Sequence, residues 1–401
     1  MKILMFGWEL PPENSGGLGV ACLNLTKALS EGNTEVTFVL PKVGNVNSDG
    51  FNVVFANLDV RVKEVDTILS AYMTPERYSK VLFGIEIKDF YGGTLFEEVA
   101  RYGKLARKLA RKEDFDIIHA HDWLSFPAGI EAKRVSKKPL VVHIHATEFD
   151  RTGGSGVNQL VYDVEKLGME EADKVLAVSQ LTKETIVSHY GIPEEKIEVV
   201  YNAHDDIVIK KHENTLKDGL EGRPIVAFIG RITIQKGPDY FVEAAKKCLD
   251  YNPDILFVMA GSGDMQAQMI EKVASLGISE NFLFSGFLRG EDVDMLYQSA
   301  DLFVMPSVSE PFGLIALESI QHGTPVLISK QSGVGEKLTH CLKTDFWDTE
   351  DMAAKILSVV SYDELKACLS ENGKKNLSRF SWRESANKCI NLYKKLIKKN
   401  Q

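Results

Sequence analysis

The chain has no apolar run approaching the length of a bilayer span, and its short apolar start, MKILMF, gives way to Glu9, Pro11 and Pro12. It therefore predicts neither a secretory leader nor an integral membrane segment. Cysteine is scarce and unpaired in spacing: Cys22, Cys248, Cys341, Cys368 and Cys389 are odd in number and far apart. That pattern excludes a disulfide framework and points to reduced thiols in a cytoplasmic protein. Positive charge is in deficit, with 47 Lys and Arg against 56 Asp and Glu, a net charge of −9. A nucleic-acid partner wants the opposite balance, and an acidic surface disfavours anionic membranes. There is no G-x-G-x-x-G, no H-E-x-x-H, no internal repeat and no low-complexity tract.

What is present is enough for two α/β cores: 401 residues, 44% hydrophobic and 26% charged. Apolar β-type runs alternate with helical patterns at Ile3–Phe6, Val36–Leu40, Ile117–His121, Leu140–His145 and Val175–Val178. A polar stretch follows, and the alternation resumes at Ile225–Ile229, Leu256–Ala260, Phe282–Ser285, Leu302–Met305 and Val326–Ile328. The expected architecture is two Rossmann-like, doubly wound halves, residues 1–205 and 223–378, with a hinge over 206–222. Two such halves imply a cleft between them, with ligands at the C-terminal ends of the strands. The last stretch, 379–401, has helical periodicity and ends in lysines suited to a helix C-terminus.

The most informative motif is SEPFGLIALES, residues 309–319. Pro311 suits a first helical turn, and Gly313 admits a ligand close to the backbone. The amides of Gly313 and Leu314 can then face a pyrophosphate, Glu318 can accept from vicinal ribose hydroxyls, and Glu310 can contact a sugar. A second segment, FIGRITIQKG at 228–237, ends a buried strand at Gly230 and offers Arg231 and Lys236. Two cations at a strand's C-terminal edge can neutralise a leaving nucleoside diphosphate without a metal.

These segments resemble the Glu-x7-Glu signature and the Gly-Arg…Lys-Gly element of retaining family 4 glycosyltransferases of the GT-B fold, and of glycogen synthases. The resemblance covers nearly the whole chain. It implies phosphate contacts for Arg231 and Lys236, sugar contacts for Glu310, and ribose contacts for Glu318. It also implies that the final helix packs back on the first domain. Gly16-Gly17-Leu18 matches the Gly-Gly-Leu loop near the N-terminus of glycogen synthases and is expected to help bind the donor. Bacterial glycogen synthases carry a lysine two residues before the first glycine, where this chain has Asn14. That departure favours the broader family over an ADP-glucose-specific synthase. Gly261-Ser-Gly263 stands where such folds meet the nucleotide base.

His119-Ala-His121-Asp122-Trp123 and His143-Ile-His145 each close a strand, and alternation puts each His-x-His pair on one face. Metal ligands are often presented this way, so a metal-dependent hydrolase competes, although no further ligand spacing supports it. Histidines filling a sheet edge with satisfied hydrogen bonds is the plain reading of His119 and His143. By resemblance His121 and Asp122 fall on the acceptor side and His145 at the catalytic centre. The loop at 148–163, with Arg151 and three glycines, is a candidate acceptor-facing segment. Asp114-x-Asp116 and Asp292-x-Asp294 spell a metal-binding motif of another glycosyltransferase fold, but their contexts mark them as solvated or capping carboxylates.

The function expected from these residues is transfer of a hexosyl, preferably glucosyl, group from a UDP- or ADP-sugar to a glycan or small hydroxyl acceptor. No cofactor or metal is expected, and retention is implied by the family alone. A nucleotide-sugar epimerase and a non-catalytic sugar-binding protein are the alternatives.

Overall fold

The structure, a computed structural model, describes residues 1–9, 16–42, 60–67, 69, 74–83, 93–204, 209–210 and 222–400. They form two compact units: Met1–Glu148 with Val157–Ala203 and Ser381–Gln401, and Phe149–Gly156 with His204–Phe380. The expected hinge, 206–222, lies outside the described residues except at 209, 210 and 222. Asn14 and Ser15 also lie outside them.

The first unit holds β1 (Lys2–Phe6), β2 (Glu35–Lys42), β3 (Val60–Asp66), β4 (Ile117–His121), β5 (Leu140–Ile144), β6 (Lys174–Ala177) and β7 (Ile197–Val199). They form one sheet in the order β3-β2-β1-β4-β5-β6-β7, every pairing parallel. The second unit holds β8 (Ile225–Ile229), β9 (Leu256–Ala260), β10 (Phe282–Gly286), β11 (Leu302–Met305), β12 (Val326–Ser329) and β13 (Leu342–Thr344), ordered β10-β9-β8-β11-β12-β13 and again all parallel. Central strands of such sheets are covered on both faces and so are apolar throughout. Along β8, Val226 and Phe228 enter one core while Ile225 and Ala227 enter the other.

Strand order locates the ligand-binding edges. In the first unit the chain winds outward from β1 to β3 and returns to β4; in the second it winds from β8 to β10 and returns to β11. Loops leaving adjacent strands diverge at these reversals and leave a crevice above the sheet. The reversals fall at Gly7–Glu9 beside His121–Trp123, and at Gly230–Arg231 beside Pro306–Gly313. The sequence's chemical motifs are therefore where the topology opens each sheet.

The final helix, Trp382–Asn400, packs on the helix Gly17–Glu31 within the first unit. Its buried residues Trp382, Ser385, Ala386, Cys389, Ile390 and Tyr393 recur at helical spacing, which leaves the lysines on the opposite face.

Two expectations change. Residues 310–312 are not the first turn of a helix, which starts at Leu314. The Glu310 N–H donates to the Gln331 carbonyl at 2.9 Å, Gly333 N–H to Glu310 O at 2.9 Å, and Val334 N–H to Phe312 O at 2.7 Å, so this stretch is pinned beside 331–334 by a β-bridge at Glu310 and bends at Pro311 and Phe312. Gly313, at φ +107°, turns the chain from that pinned segment into the helix, a conformation only glycine adopts readily. Three strands also escape the sequence pattern: β3, with charges interleaved as VRVKEVD, and β7 and β13, three residues each. All three are sheet edges.

Candidate functional site

In the second unit the loops after β8, β9 and β10 are joined through their backbones. Gly230 N–H donates to Ala260 O at 2.9 Å, Ile232 N–H to Ser262 O at 3.0 Å, and Gly261 N–H to Gly286 O at 2.7 Å. A Cβ on Gly263 would lie 2.1 Å from the Ile232 carbonyl oxygen, which only a shift of backbone could relieve. Gly263→Ala is expected to cost about 1–3 kcal/mol by overpacking, read as a lower denaturant midpoint. Gly17→Ala, with nothing within 4 Å of the added carbon and a place in the first helical turn, is expected to be neutral or stabilising by up to about 1 kcal/mol.

Above that platform the charged residues converge. Ile234–Lys236 form a single tight turn, closed by Gly237, which sends Lys236 Nζ to within 2.5 Å of Glu310 Oε2. Ser307 Oγ donates to the same carboxylate oxygen at 3.1 Å. Arg231 Nη2 donates to Gln235 Oε1 at 3.0 Å, and Gln235 in turn donates to the Ser309 carbonyl at 3.2 Å. The Gln235 carbonyl accepts from Val308 N–H at 2.9 Å, so the basic loop is tied directly to the segment leading into Glu310. Beyond Gly313 the first-turn amides of Leu314 and Ile315 have no intrahelical acceptor, the arrangement that favours an anion. Glu318, one turn along, lies 3.4 Å from the Tyr297 hydroxyl. Burial, with Glu318 adding to it, pushes the Tyr297 phenol well above its ordinary value, so it remains a donor. Asp294 accepts from or pairs with His322 Nε2 at 3.0 Å, while Asp114 pairs with Lys2 Nζ at 2.6 Å and Asp116 accepts from the Lys2 N–H at 2.8 Å. Those carboxylates have structural partners.

In the first unit β4 and β5 stand in register with His121 opposite His143. Alternation then lines up four rings on one face: His119 and His121 at 4.3 Å between centroids, His143 and His145 at 4.3 Å, and His119 and His143 at 5.4 Å. Tyr393 of the final helix contacts His119 Nδ1 at 2.7 Å, and His121 Nδ1 meets His145 Nε2 at 2.9 Å. The expectation that His119 and His143 have satisfied hydrogen bonds fails at His119 Nε2 and altogether for His143. Neither of its ring nitrogens has a partner among the described residues, and stacking on its neighbours takes their place. Burial holds the His143 pKa down at about 3 and lowers His119, His121 and His145 well below the ordinary value. All four are therefore neutral at pH 7.

Ligand atoms of His119, His121 and His143, and of Cys22, His121 and His145, lie within 4.8 Å of one another. Imidazole binds a metal in its ring plane, whereas the rings of the first set are stacked at 14–30°. Stacked planes carry their lone pairs side by side rather than toward one point, a poor arrangement for three rings to share one ion.

Asp122 follows β4 at φ +55°, and its Oδ1 accepts from the His145 N–H at 2.7 Å and the Ala146 N–H at 3.5 Å. Trp8 Nε1 and Ser125 Oγ both donate to the His121 carbonyl, at 3.2 and 2.6 Å. Gly16 caps the helix Gly17–Glu31, and Glu9 Oε1 accepts from the Gly19 N–H at 3.1 Å.

Arg231, Lys236, Glu310, Gly313, Leu314, Glu318 and Gly263 thus belong to the second unit, and Gly16, Gly17, His121, Asp122 and His145 to the first. Arg151, at the end of the short helix Glu148–Arg151, belongs to the second unit, where its neighbour Asp150 accepts from Ser309 Oγ at 2.5 Å. Sequence reasoning passed over Glu9, Gln235, Tyr297, Ser307 and Tyr393. Ser307 and Gln235 were within reach, since both lie inside or next to the quoted motifs; Tyr297 and Tyr393 join the sites only through tertiary packing.

Residues 15–206 match the model for Glycosyltransferase Family 4, and residues 210–376 that for Glycosyl transferases group 1. The chain is 31% identical to an uncharacterized glycosyltransferase of Methanocaldococcus jannaschii, over 98% of both chains. It is 27% identical to a glycogen synthase of Mycobacterium tuberculosis, over 98% of this chain and 94% of the relative. Among solved structures it is similar to Anabaena HepE in complex with UDP and glucose, with a TM-score of 0.73 at 18% identity, covering 98% of this chain and 100% of that one. Among the described residues no helix is long and apolar enough to cross a membrane. Two parallel α/β units with their charged motifs at the sheet reversals, and matches that span the chain, place it in the family 4 glycosyltransferases of the GT-B fold.

Proposed function

We propose that this glycosyltransferase moves a glucosyl group, with retention and without a metal, from a UDP- or ADP-sugar to a hydroxyl acceptor, α-glucan chains foremost. The observation that carries the reading is the Lys236–Glu310 pair beside a glycine-opened helix start. It pairs a cation with a carboxylate that stands just ahead of the open amides of a helix start, which suits a diphosphate joined to a polyol. Breaking the anomeric C–O bond leaves negative charge on the diphosphate and positive character on the sugar. Arg231, Lys236 and the amides at Gly313 and Leu314 stabilise the first; Glu310 orients sugar hydroxyls, and Glu318 holds the ribose. Gly263 approaches the base. In the first unit His145 is the sugar-side residue, with Gly16 and Gly17 contributing amides. The glycogen synthase relative supports a glucosyl donor, and the HepE complex with UDP and glucose supports a nucleoside-diphosphate leaving group.

Product analysis tests this reading. With UDP- or ADP-glucose and maltooligosaccharides in excess chelator, the expected product is one hexose longer, with an α-anomeric proton signal by NMR. A β-linked product would overturn retention, and loss of product in chelator would overturn metal independence.

A further inference from the structure

We propose that His121 and Asp122 are positioning residues that act through His145, His121 by fixing which tautomer His145 presents and Asp122 by fixing where its backbone stands. This rests on the reading of His145 as the sugar-side residue. His121 is fully buried, stacked between His119 and Phe38, with Phe38 at 6.3 Å and 17°, and it meets His145 Nε2 through its Nδ1 at 2.9 Å. A side chain so enclosed reaches a sugar only through its neighbour.

A neutral imidazole has one N–H and one lone pair. If His121 carries its proton on Nδ1, it donates to His145 Nε2, and the proton of His145 must then sit on Nδ1. If His121 carries its proton on Nε2, its bare Nδ1 accepts from His145 Nε2–H, and His145 Nδ1 becomes an acceptor. Either way, the hydrogen-bonding sense of His145 Nδ1 is set by His121. That nitrogen is buried and has no hydrogen-bond partner among the described residues. The doubly protonated form, which would erase the distinction, is disfavoured by burial of both rings.

Asp122 completes the arrangement. Its N–H donates to the His143 carbonyl at 2.9 Å while its Oδ1 accepts from the His145 N–H at 2.7 Å, so one residue grips β5 on both sides of Ile144. The left-handed φ of +55° is what allows both contacts at once.

Three variants separate positioning from mere packing. His121→Phe keeps a ring of similar size in the stack but removes the contact to His145. His121→Asn places an amide near the position of Nδ1 and can restore it. Glucosyl transfer by His121→Phe is expected to fall about 100-fold in kcat, with donor KM within about twofold, and His121→Asn to recover most of that loss. Asp122→Asn, which still presents a carbonyl oxygen to the His145 N–H, is expected to be milder than Asp122→Ala. Long-range ¹⁵N–¹H NMR of the resting protein gives a readout independent of turnover: a single neutral tautomer for His145 in the wild type, and a mixture in His121→Phe. Unchanged kcat in a folded His121→Phe, or the same single tautomer in both proteins, would overturn the inference. If the wild type shows no transfer at all, the functional reading fails, and the NMR comparison still decides the positioning one.

Discussion

Lys236→Ala is expected to lower turnover of a nucleoside-diphosphate sugar by about 100- to 1,000-fold, the effect of removing one preorganised charge-stabilising donor. The same substitution should destabilise the second unit by roughly 3 kcal/mol or more, because it strands the other half of a buried pair. The Lys236 and Glu310 side chains are only 15% and 9% exposed, which is why the ion pair counts here although surface pairs do not. Without the lysine, the Glu310 carboxylate keeps the Ser307 hydroxyl as a hydrogen-bond donor and loses its counter-charge. Glu310→Gln distinguishes the two effects. It keeps the shape and an oxygen for Ser307, so it should lose turnover comparably while costing less stability than Lys236→Ala. The double variant should be less destabilised than the two single costs added together, because neither charge is left alone. Steady-state kinetics beside denaturant titrations measure both quantities; wild-type turnover in Lys236→Ala would remove the lysine from the mechanism.

The histidine stack predicts a steep acid sensitivity of the first unit. His119, His121 and His143 are neutral when folded, with pKa values held down chiefly by burial, to about 3 for His143. Unfolded, each titrates near 6.5. Below that pH the unfolded chain takes up protons that the folded rings refuse, so stability falls as pH falls, at up to about 1.4 kcal/mol per pH unit for each ring. Three rings together give about 4 kcal/mol per unit below pH 6. Against a total stability of about 5–15 kcal/mol, that is enough to unfold the unit between about pH 6 and pH 4. His143→Phe keeps the stack and removes two buried nitrogens that have no partner among the described residues. At pH 7.5 it should therefore be neutral or stabilising, and its stability should fall with pH by about 1.4 kcal/mol per unit less than the wild type's. Denaturant midpoints at pH 7.5 and pH 5 test this; identical pH dependence in both proteins would mean that His143 is not held neutral by the fold.

The sequence was legible wherever one local signal carried the structure. Ten of the strands announced themselves as apolar runs, and Arg231, Lys236, Glu310, Gly313 and Glu318 stood in motifs that the fold then brought together at one sheet reversal. Three of the four edge strands were not legible, because β3 carries charges and β7 and β13 are three residues long. The helix start was misplaced because Pro311 mimics a first turn, while the backbone bonds from Glu310 to Gln331 and from Val334 to Phe312 that pin the segment join residues 21 and 22 apart in sequence. The four histidines were visible as two pairs. Their union into one stack required the β4–β5 register, and Tyr393 joins it from the far end of the chain.

The central claim is that the chain takes a sugar from a nucleoside diphosphate. Release of UDP, ADP or GDP from a panel of their sugars, with and without glucan acceptor and in chelator, tests it most directly. The account predicts release from a glucose donor, stimulated by acceptor, insensitive to chelator, and lost in Glu310→Gln. No release from any donor with any acceptor, by protein that is folded and pure, would contradict it.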